Sequence, residues 1–316
     1  MTRRRCSRPA SACASWRGDD MCTLEVITPG PLATLQDLGR PGLAALGVGQ
    51  SGAADTHAFG LANRLLGNPA EAAAIEVTFG GLEVAARGGG TYVALTGAPC
   101  PMTLDGRQVA ANSVIWMPDG ATLRLGVPTS GLRSYLAVRG GFDVPPVLGS
   151  RSTDALAGVG PDPLAEGVTL PVGTPTGELP DVDLAPVCPP SDDEVVLRVV
   201  PGPRADWFTD EALAALVGGS YEVTAESNRI GMRLSGEPLE RAVDGELSSE
   251  GMVRGALQVP PSGQPTLFLA DHPVTGGYPV IAVVVAADLP LAAQARPGQR
   301  VRFTRTTVPG GDFDDL

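Results

Sequence analysis

Glycine and proline interrupt this chain so often that neither a long helix nor a long strand fits between them. There are 41 glycines and 30 prolines among 316 residues. Glycine weakens the interior of a regular element, and proline removes a backbone donor and fixes φ. A chain punctuated in this way is expected to fold as many short strands joined by tight turns. The runs between the breakers fit that expectation. Leu24–Thr28, Leu82–Ala86, Tyr92–Thr96, Ser113–Met117, Thr122–Leu125 and Ser134–Val138 are short and rich in Val, Ile, Leu and Thr. After residue 190 the same pattern returns at Val195–Val200, Tyr221–Thr224, Ala256–Val259, Thr266–Ala270, Val280–Ala286 and Val301–Thr304. The longest apolar run, Val280 to Ala287, is too short to span a bilayer and reads as a buried strand.

Helices are few but well signalled. Asp55 precedes Ala58, Leu61, Ala62, Leu65 and Leu66, which follow the spacing of one apolar helix face, and Gly67 suits a left-handed terminator. A second helix is expected from Thr209 as N-cap, with Asp210 and Glu211 in its first turn and Phe208 and Leu213 as a hydrophobic staple. A third, short helix begins near Asp288. Between residues 155 and 193 the chain is rich in Pro, Gly and Asp and loses periodicity. The expected organisation is a disordered extension over 1–21, a lobe over 22–180, a linker over 181–194, a second lobe over 195–305 and an acidic tail over 306–316. Each lobe opens alike, with VITPGP at 26–31 and VVPGP at 199–203, a short echo that hints at duplication. The first 20 residues are basic and then polar and lack the apolar core of a signal peptide; Met21 is the alternative start. A cytoplasmic location is expected.

Composition excludes several chemistries. All 23 basic residues are arginine, so no Schiff-base lysine, Walker lysine or biotinyl-lysine exists on this chain. The formal net charge of −12 argues against nucleic acid and anionic membrane surfaces as partners. Five cysteines without a C-x-x-C pair, and only His57 and His272, give no disulfide framework and no metal site.

Four loop segments gather polar residues among glycines. In QDLGRPG at 36–42, Asp37 and Arg40 either pair in a turn or present a carboxylate and a guanidinium to a ligand. Ser51 lies in SGAAD at 51–55, where an open helix N-terminus would bind an anion unless Asp55 caps it. Between 227 and 264, Arg229 and Arg233 are spaced to share one strand face, beside Glu250 and Gln258. Guanidiniums so placed suit a carboxylate or phosphate, and an ordinary exposed strand face is the plain alternative. In DHPVTGGYP at 271–279, Thr275, Gly276 and Gly277 form either a backbone-donor loop or a simple turn.

The order of these motifs carries more than any one of them. QDLGR (36–40), GV (47–48), SGAAD (51–55), AN (62–63), GN (67–68), EVT (76–78), LTGA (95–98), LAVRGG (136–141) and LGSRSTD (148–154) come first. PGP (201–203), NRIGMRL (228–234), SEG (249–251), GALQVPPSGQP (255–265), AD (270–271), TGGYP (275–279), DLP (288–290) and Gln294 follow. This series, over about residues 24–303, resembles the family of C-type subunits of 5-oxoprolinase, also described as allophanate hydrolase subunit 2 or biotin-dependent carboxyltransferase.

The resemblance implies a mainly β fold with a few short helices in two cyclophilin-like β-barrel lobes. It implies one subunit of an ATP-dependent amide (lactam) hydrolase that opens 5-oxoproline to glutamate. The partners would be a B-type subunit (allophanate hydrolase subunit 1 type) and an A-type subunit. ATP would be a co-substrate, bound by the partner or shared with it, with no covalent biotin on this chain. A carboxyltransferase component of a urea-type carboxylase and a non-catalytic regulatory partner of a B-type homologue are the alternatives. On this reading Asp37, Asp55 and Glu250 are the catalytic carboxylates. Arg40, Ser51, Arg229, Arg233, Gln258, Asp271, Thr275, Gly276 and Gly277 hold the substrate. The sequence departs from the family pattern where Met usually stands at Ala54 and Asp at Asn228. It also lacks an arginine in the ALAGVGPDP loop at 155–163.

Overall fold

The computed structural model describes residues 22–307 apart from Asp183, Asp244 and Glu246. The expected extension over 1–21, and the tail from residue 308 onward, lie outside the described residues.

The first part of the chain builds two sheets. Its strands are β1 (Thr23–Thr28), β2 (Leu32–Gln36), β3 (Ala74–Thr78), β4 (Glu83–Arg87), β5 (Thr91–Gly97), β6 (Met102–Leu104), β7 (Arg107–Val109), β8 (Ile115–Met117), β9 (Thr122–Leu125), β10 (Arg133–Val138) and β11 (Thr169–Pro171). One sheet runs β11-β1-β4-β9-β6-β7 and the other β2-β3-β10-β5-β8, every pairing antiparallel. Their inner faces bury Leu24, Val26, Ile75, Val77, Val84, Val93, Leu95, Leu123, Leu136 and Val138 in one apolar core.

The outer face of the second sheet is also covered. Helix α1 (Thr56–Leu65) lays Ala58, Phe59, Ala62 and Leu65 on Ala74, Ala94, Tyr135 and Ala137. Small alanines at alternate strand positions let the helix approach closely, and Phe59 meets Tyr135 edge-on at 6.2 Å between ring centroids. This second burial is why β3 and β10 are buried almost throughout instead of alternating.

The second part closes into a barrel. Its strands are β12 (Val195–Pro201), β13 (Tyr221–Val223), β14 (Gly231–Ser235), β15 (Glu250–Gly251), β16 (Ala256–Gln258), β17 (Thr266–Phe268), β18 (Thr275–Gly276), β19 (Val280–Val284) and β20 (Arg300–Arg305). The closed order is β12-β19-β16-β17-β14-β13-β20, sealed by a parallel pairing of β12 with β20. Leu197, Leu234, Leu257, Leu267, Ile281, Val301 and Phe303 fill it. Helix α2 (Asp210–Gly218) starts at Thr209, whose hydroxyl accepts from Ala212 N–H as the cap pattern predicts. Helix α3 (Leu289–Gln294) follows a 3-10 turn over Ala286–Asp288. Asp288 stands at its start, but its carboxylate is taken by Arg198 and leaves the helix amides alone. The molecule is thus mainly β with three short α-helices among the described residues.

Candidate functional site

The densest polar chemistry lies where the first-part loop 51–55 and strands β3 and β10 meet the second part. The Arg229 guanidinium donates to both oxygens of Asp271, at 2.8 Å each, to Glu76 Oε1 at 2.5 Å and to the Gly52 carbonyl at 2.7 Å. Glu76 also accepts from Tyr135 Oη at 2.7 Å and from Ala54 N–H at 2.9 Å. Asp271 also accepts from Ser51 Oγ at 2.7 Å and from Ala155 N–H at 3.0 Å. Burial alone would push the Glu76 carboxyl up, but the Arg229 and Arg133 guanidiniums beside it hold it below the ordinary range. Burial likewise opposes the Arg229 charge, and Glu76 and Asp271 overcome it. Tyr135 is pushed well up by burial and by the Glu76 charge, so its phenol stays a hydrogen-bond donor. Arg254 closes the seam by donating to the Ala54 carbonyl, and burial pulls its pKa down.

Asp55 leads from this seam into a cavity. It caps α1, accepting from His57 and Ala58 N–H at 3.0 Å each, so the helix N-terminus is closed by its own residue rather than open to an anion. Its other oxygen accepts from Gln294 Nε2 at 2.7 Å. Burial raises the Asp55 pKa and outweighs these hydrogen bonds. Asp55, His57, Arg64, Gln294 and the inter-lobe segment from Val187 to Ser191 line a cavity of about 590 Å³. A carboxyl of raised pKa on a cavity wall is equipped to exchange protons.

Asp37 and Arg40 do not pair with each other. Asp37 accepts from Gly39 N–H, Ser150 Oγ, Ser152 Oγ and Arg151 N–H at 2.6–2.7 Å, so both carboxylate oxygens are engaged in tying down loop 150–152. Arg40 is buried, and among the described residues its side chain donates only to the Ser152 carbonyl, with no partner there for Nε and Nη1. Ser51, held at a positive φ of 55°, reaches the Thr153 carbonyl as well as Asp271.

Glu250, Gln258 and residues 275–277 form a separate group. Glu250 and Gly251 pair with Gly276 and Thr275 as a two-stranded ladder, so the backbone of Thr275 and Gly276 serves this pairing. The Glu250 carboxylate is bound by Arg204, which lowers its pKa. Gln258 Nε2 donates to the Tyr278 carbonyl at 3.1 Å. A Cβ at Gly276 would come within 2.5 Å of that nitrogen, while Gly277 lies in more open space. Arg233 corrects the expectation of a shared strand face. Arg229 lies in the turn before β14 and is buried, while Arg233 is in β14, 59% exposed at its side chain and 3.7 Å from Glu226. Turn geometry at Asn228, whose Oδ1 accepts from Ile230 N–H at 2.8 Å, breaks the four-residue spacing.

Glu76, Tyr135, Arg133, Arg254 and Gln294 were not singled out as site residues by sequence reasoning. The available signal was a lone carboxylate inside the apolar run AAAIEVTF at 72–79: a charge in a buried strand needs a buried partner.

A two-sheet lobe joined to a closed barrel across a buried ionic seam defines the class of protein. The carboxyltransferase domain family, described as subdomain A and B, matches residues 46–305, and the chain belongs to this family. It is 38% identical to the 5-oxoprolinase C subunit of Escherichia coli over 288 residues, covering 90% of this chain and 92% of that one. It is 33% identical to the urea amidolyase of Lachancea kluyveri, over 89% of this chain but 17% of that one. Among solved structures, Kluyveromyces lactis urea amidolyase superposes with a TM-score of 0.84 at 31% identity, over 91% of this chain and 19% of that one. TTHA0988 superposes with a TM-score of 0.80 at 36% identity, and this chain spans about half of it, 55%.

Proposed function

We propose that this chain is the C-type subunit of an ATP-dependent 5-oxoprolinase, working with A-type and B-type partner subunits, and that it contributes proton transfer at Asp55. The observation that carries the reading is the Asp55 carboxyl, raised in pKa by burial and oriented by Gln294 on the wall of the cavity beside α1. The near full-length similarity to the 5-oxoprolinase C subunit supports the reaction class. Opening a lactam requires proton transfer to the leaving nitrogen, and a carboxyl of raised pKa suits that task better than an ordinary aspartate. ATP is a co-substrate in this scheme. With no lysine, phosphate handling on this chain falls to arginine and backbone amides, or to the partner.

The test is coexpression with A-type and B-type subunits, followed by an assay of ATP-dependent glutamate release from 5-oxoproline. The wild-type complex releases glutamate, and Asp55→Asn lowers the rate by about 10²–10⁴-fold while the complex still assembles. No release from a stable, assembled wild-type complex would sink the reading. A second reading, a carboxyltransferase component, is favoured by the similarity to urea amidolyase. It demands a separate biotinylated protein, so dependence of turnover on added biotinyl carrier separates the two.

A further inference from the structure

Three loops of the first part, residues 41–49, 145–149 and 155–160, contain no charged residue at all. Elsewhere the chain is heavily charged, at 18% of residues and a net charge of −12. What these loops expose is apolar. Leu46 is 78% exposed, and Val147, Leu148 and Leu156 are exposed as well. The 3-10 turn over Ala44–Leu46 has no buried residue. A Cβ at Gly42, Gly47, Gly149 or Gly158 would meet nothing within 4 Å among the described residues, so the turns project outward. Burial of leucine is favourable, yet these side chains stay in water. Exposed apolar surface gathered in this way marks a contact with another protein.

Buried polar groups tie the roots of the three loops together. Asp37, before the first loop, accepts from Ser150 Oγ and Arg151 N–H, just after the second, at 2.6 Å each. Arg40 N–H donates to the Gln50 carbonyl at 2.8 Å and closes the first loop at its base. Asp154 turns the third loop, accepting from Leu156 and Ala157 N–H at 3.0 and 2.9 Å. Its other oxygen lies 3.4 Å from where a Cβ would stand on Gly49, at the end of the first loop. A Cβ on Gly160, at the end of the third, would lie 3.0 Å from Arg40 Nη2. Val144, Pro145, Pro161 and Leu164, from the flanks of the second and third loops, line a common cavity of about 350 Å³. Exposed charge returns only at those flanks, with Asp162 and with Asp143, which lies 3.4 Å from Arg151. An apolar middle with a charged rim is the anatomy of a protein interface, and loops held in place lose little entropy on binding. The face also borders the ionic seam, because Ala155 N–H donates to Asp271 at 3.0 Å.

We infer that these loops are the docking face for a partner subunit, a folded protein that presents an uncharged, apolar surface. With their rim they reach roughly the 20–30 residues that one side of a standard interface uses. The occupant is the counterpart of the part of TTHA0988 that lies outside this fold, since this chain spans only 55% of that protein. In TTHA0988 that part is on the same chain; on the function proposed above it is a separate subunit. The inference rests on that reading only in taking the chain as one subunit of an assembly, and does not depend on the reaction. A second copy fits less well, because two chains of net charge −12 repel each other.

The experiment titrates the full chain by calorimetry with the purified subunit whose sequence matches that part of TTHA0988. The wild type is expected to bind it, and Leu46→Asp to weaken binding about tenfold or more. Leu46→Asp with Leu148→Asp weakens it further. Both side chains are exposed, so the melting temperature of the free chain stays unchanged. Val127→Asp puts the same charge on an exposed valine outside the three loops and leaves affinity unchanged. The proposal is overturned if the subunit does not bind, if the loop variants bind as tightly as the wild type, or if Val127→Asp weakens binding equally. It is also overturned if the chain alone sediments as a dimer that Leu46→Asp dissociates, which would make the face a contact between copies. A complex that forms through the loops but releases no glutamate supports the docking face and sinks the hydrolase reading.

Discussion

Arg229 makes four hydrogen bonds in the seam, three of them to two buried carboxylates. Its removal would leave Glu76 and Asp271 as buried charges without their main counter-ion. Breaking a buried pair of this kind costs about 3–5 kcal/mol. Arg229→Met is therefore expected to lose that much at neutral pH, and the loss depends on pH. In the wild type the Glu76 pKa is held down, so its contribution is present above the ordinary glutamate range and fades as pH falls through the depressed value. In the variant, burial of Glu76 is opposed only by Arg133 and the hydrogen bonds from Tyr135 and Ala54, so its pKa rises relative to the wild type and the variant loses stability against it as pH rises. The gap between the two proteins should widen from pH 4 to pH 7 in urea denaturation, and an equal gap at both would refute the assignment. Asp55 has the opposite sign. Its folded pKa is raised, so its contribution is full below the ordinary aspartate value and is lost as pH rises through the raised one. Relative to Asp55→Asn, the wild type should lose ground between pH 4 and pH 7.

Elements were legible in proportion to how local their causes are. The caps of α1 and α2 could be read directly, because Asp55 and Thr209 bind amides two or three residues ahead. Thr209→Ala should accordingly cost about 1 kcal/mol in denaturation and leave turnover intact, since α2 lies outside the Asp55 cavity. Strands β2 and β3 were not legible. Leu32–Gln36 ends in polar residues, and Ala74–Thr78 carries a glutamate whose counter-ion, Arg229, lies 153 residues further along the chain. No local pattern records a partner at that distance. The same limit governed the site. Asp55, Ser51, Arg229 and Asp271 are candidates that stand out through their loops, but only the fold brings them together. Arg233 followed a strand spacing that the Asn228 turn does not keep.

At the scale of the whole molecule, the two parts are joined by polar groups that each would otherwise leave unpaired. Gln294, at the end of α3, accepts from Leu132 and Arg133 N–H at 2.9 and 3.0 Å and donates to the Arg133 carbonyl and to Asp55. Arg296 adds bonds to the carbonyls of Gly131 and Pro128. The segment between the parts also lies on the first one, with Ala185 N–H donating to the Asn112 carbonyl at 2.8 Å. Folding of one part therefore supplies the partners for buried groups of the other, and the wild type should unfold in a single transition. Gln294→Leu keeps the volume but takes the Gln294 partner from two N–H groups and from one Asp55 oxygen, while the Arg133 carbonyl keeps Ala98 N–H. Each buried orphan costs about 1–3 kcal/mol, with partial relaxation. The expected result is a loss of about 2–4 kcal/mol, unchanged far-UV circular dichroism, and faster protease cleavage between residues 181 and 194 as that segment lifts from the cavity. Because the same substitution removes the group that orients Asp55, turnover of the assembled complex should fall with it. A stable variant with normal turnover would show that the seam is packing alone.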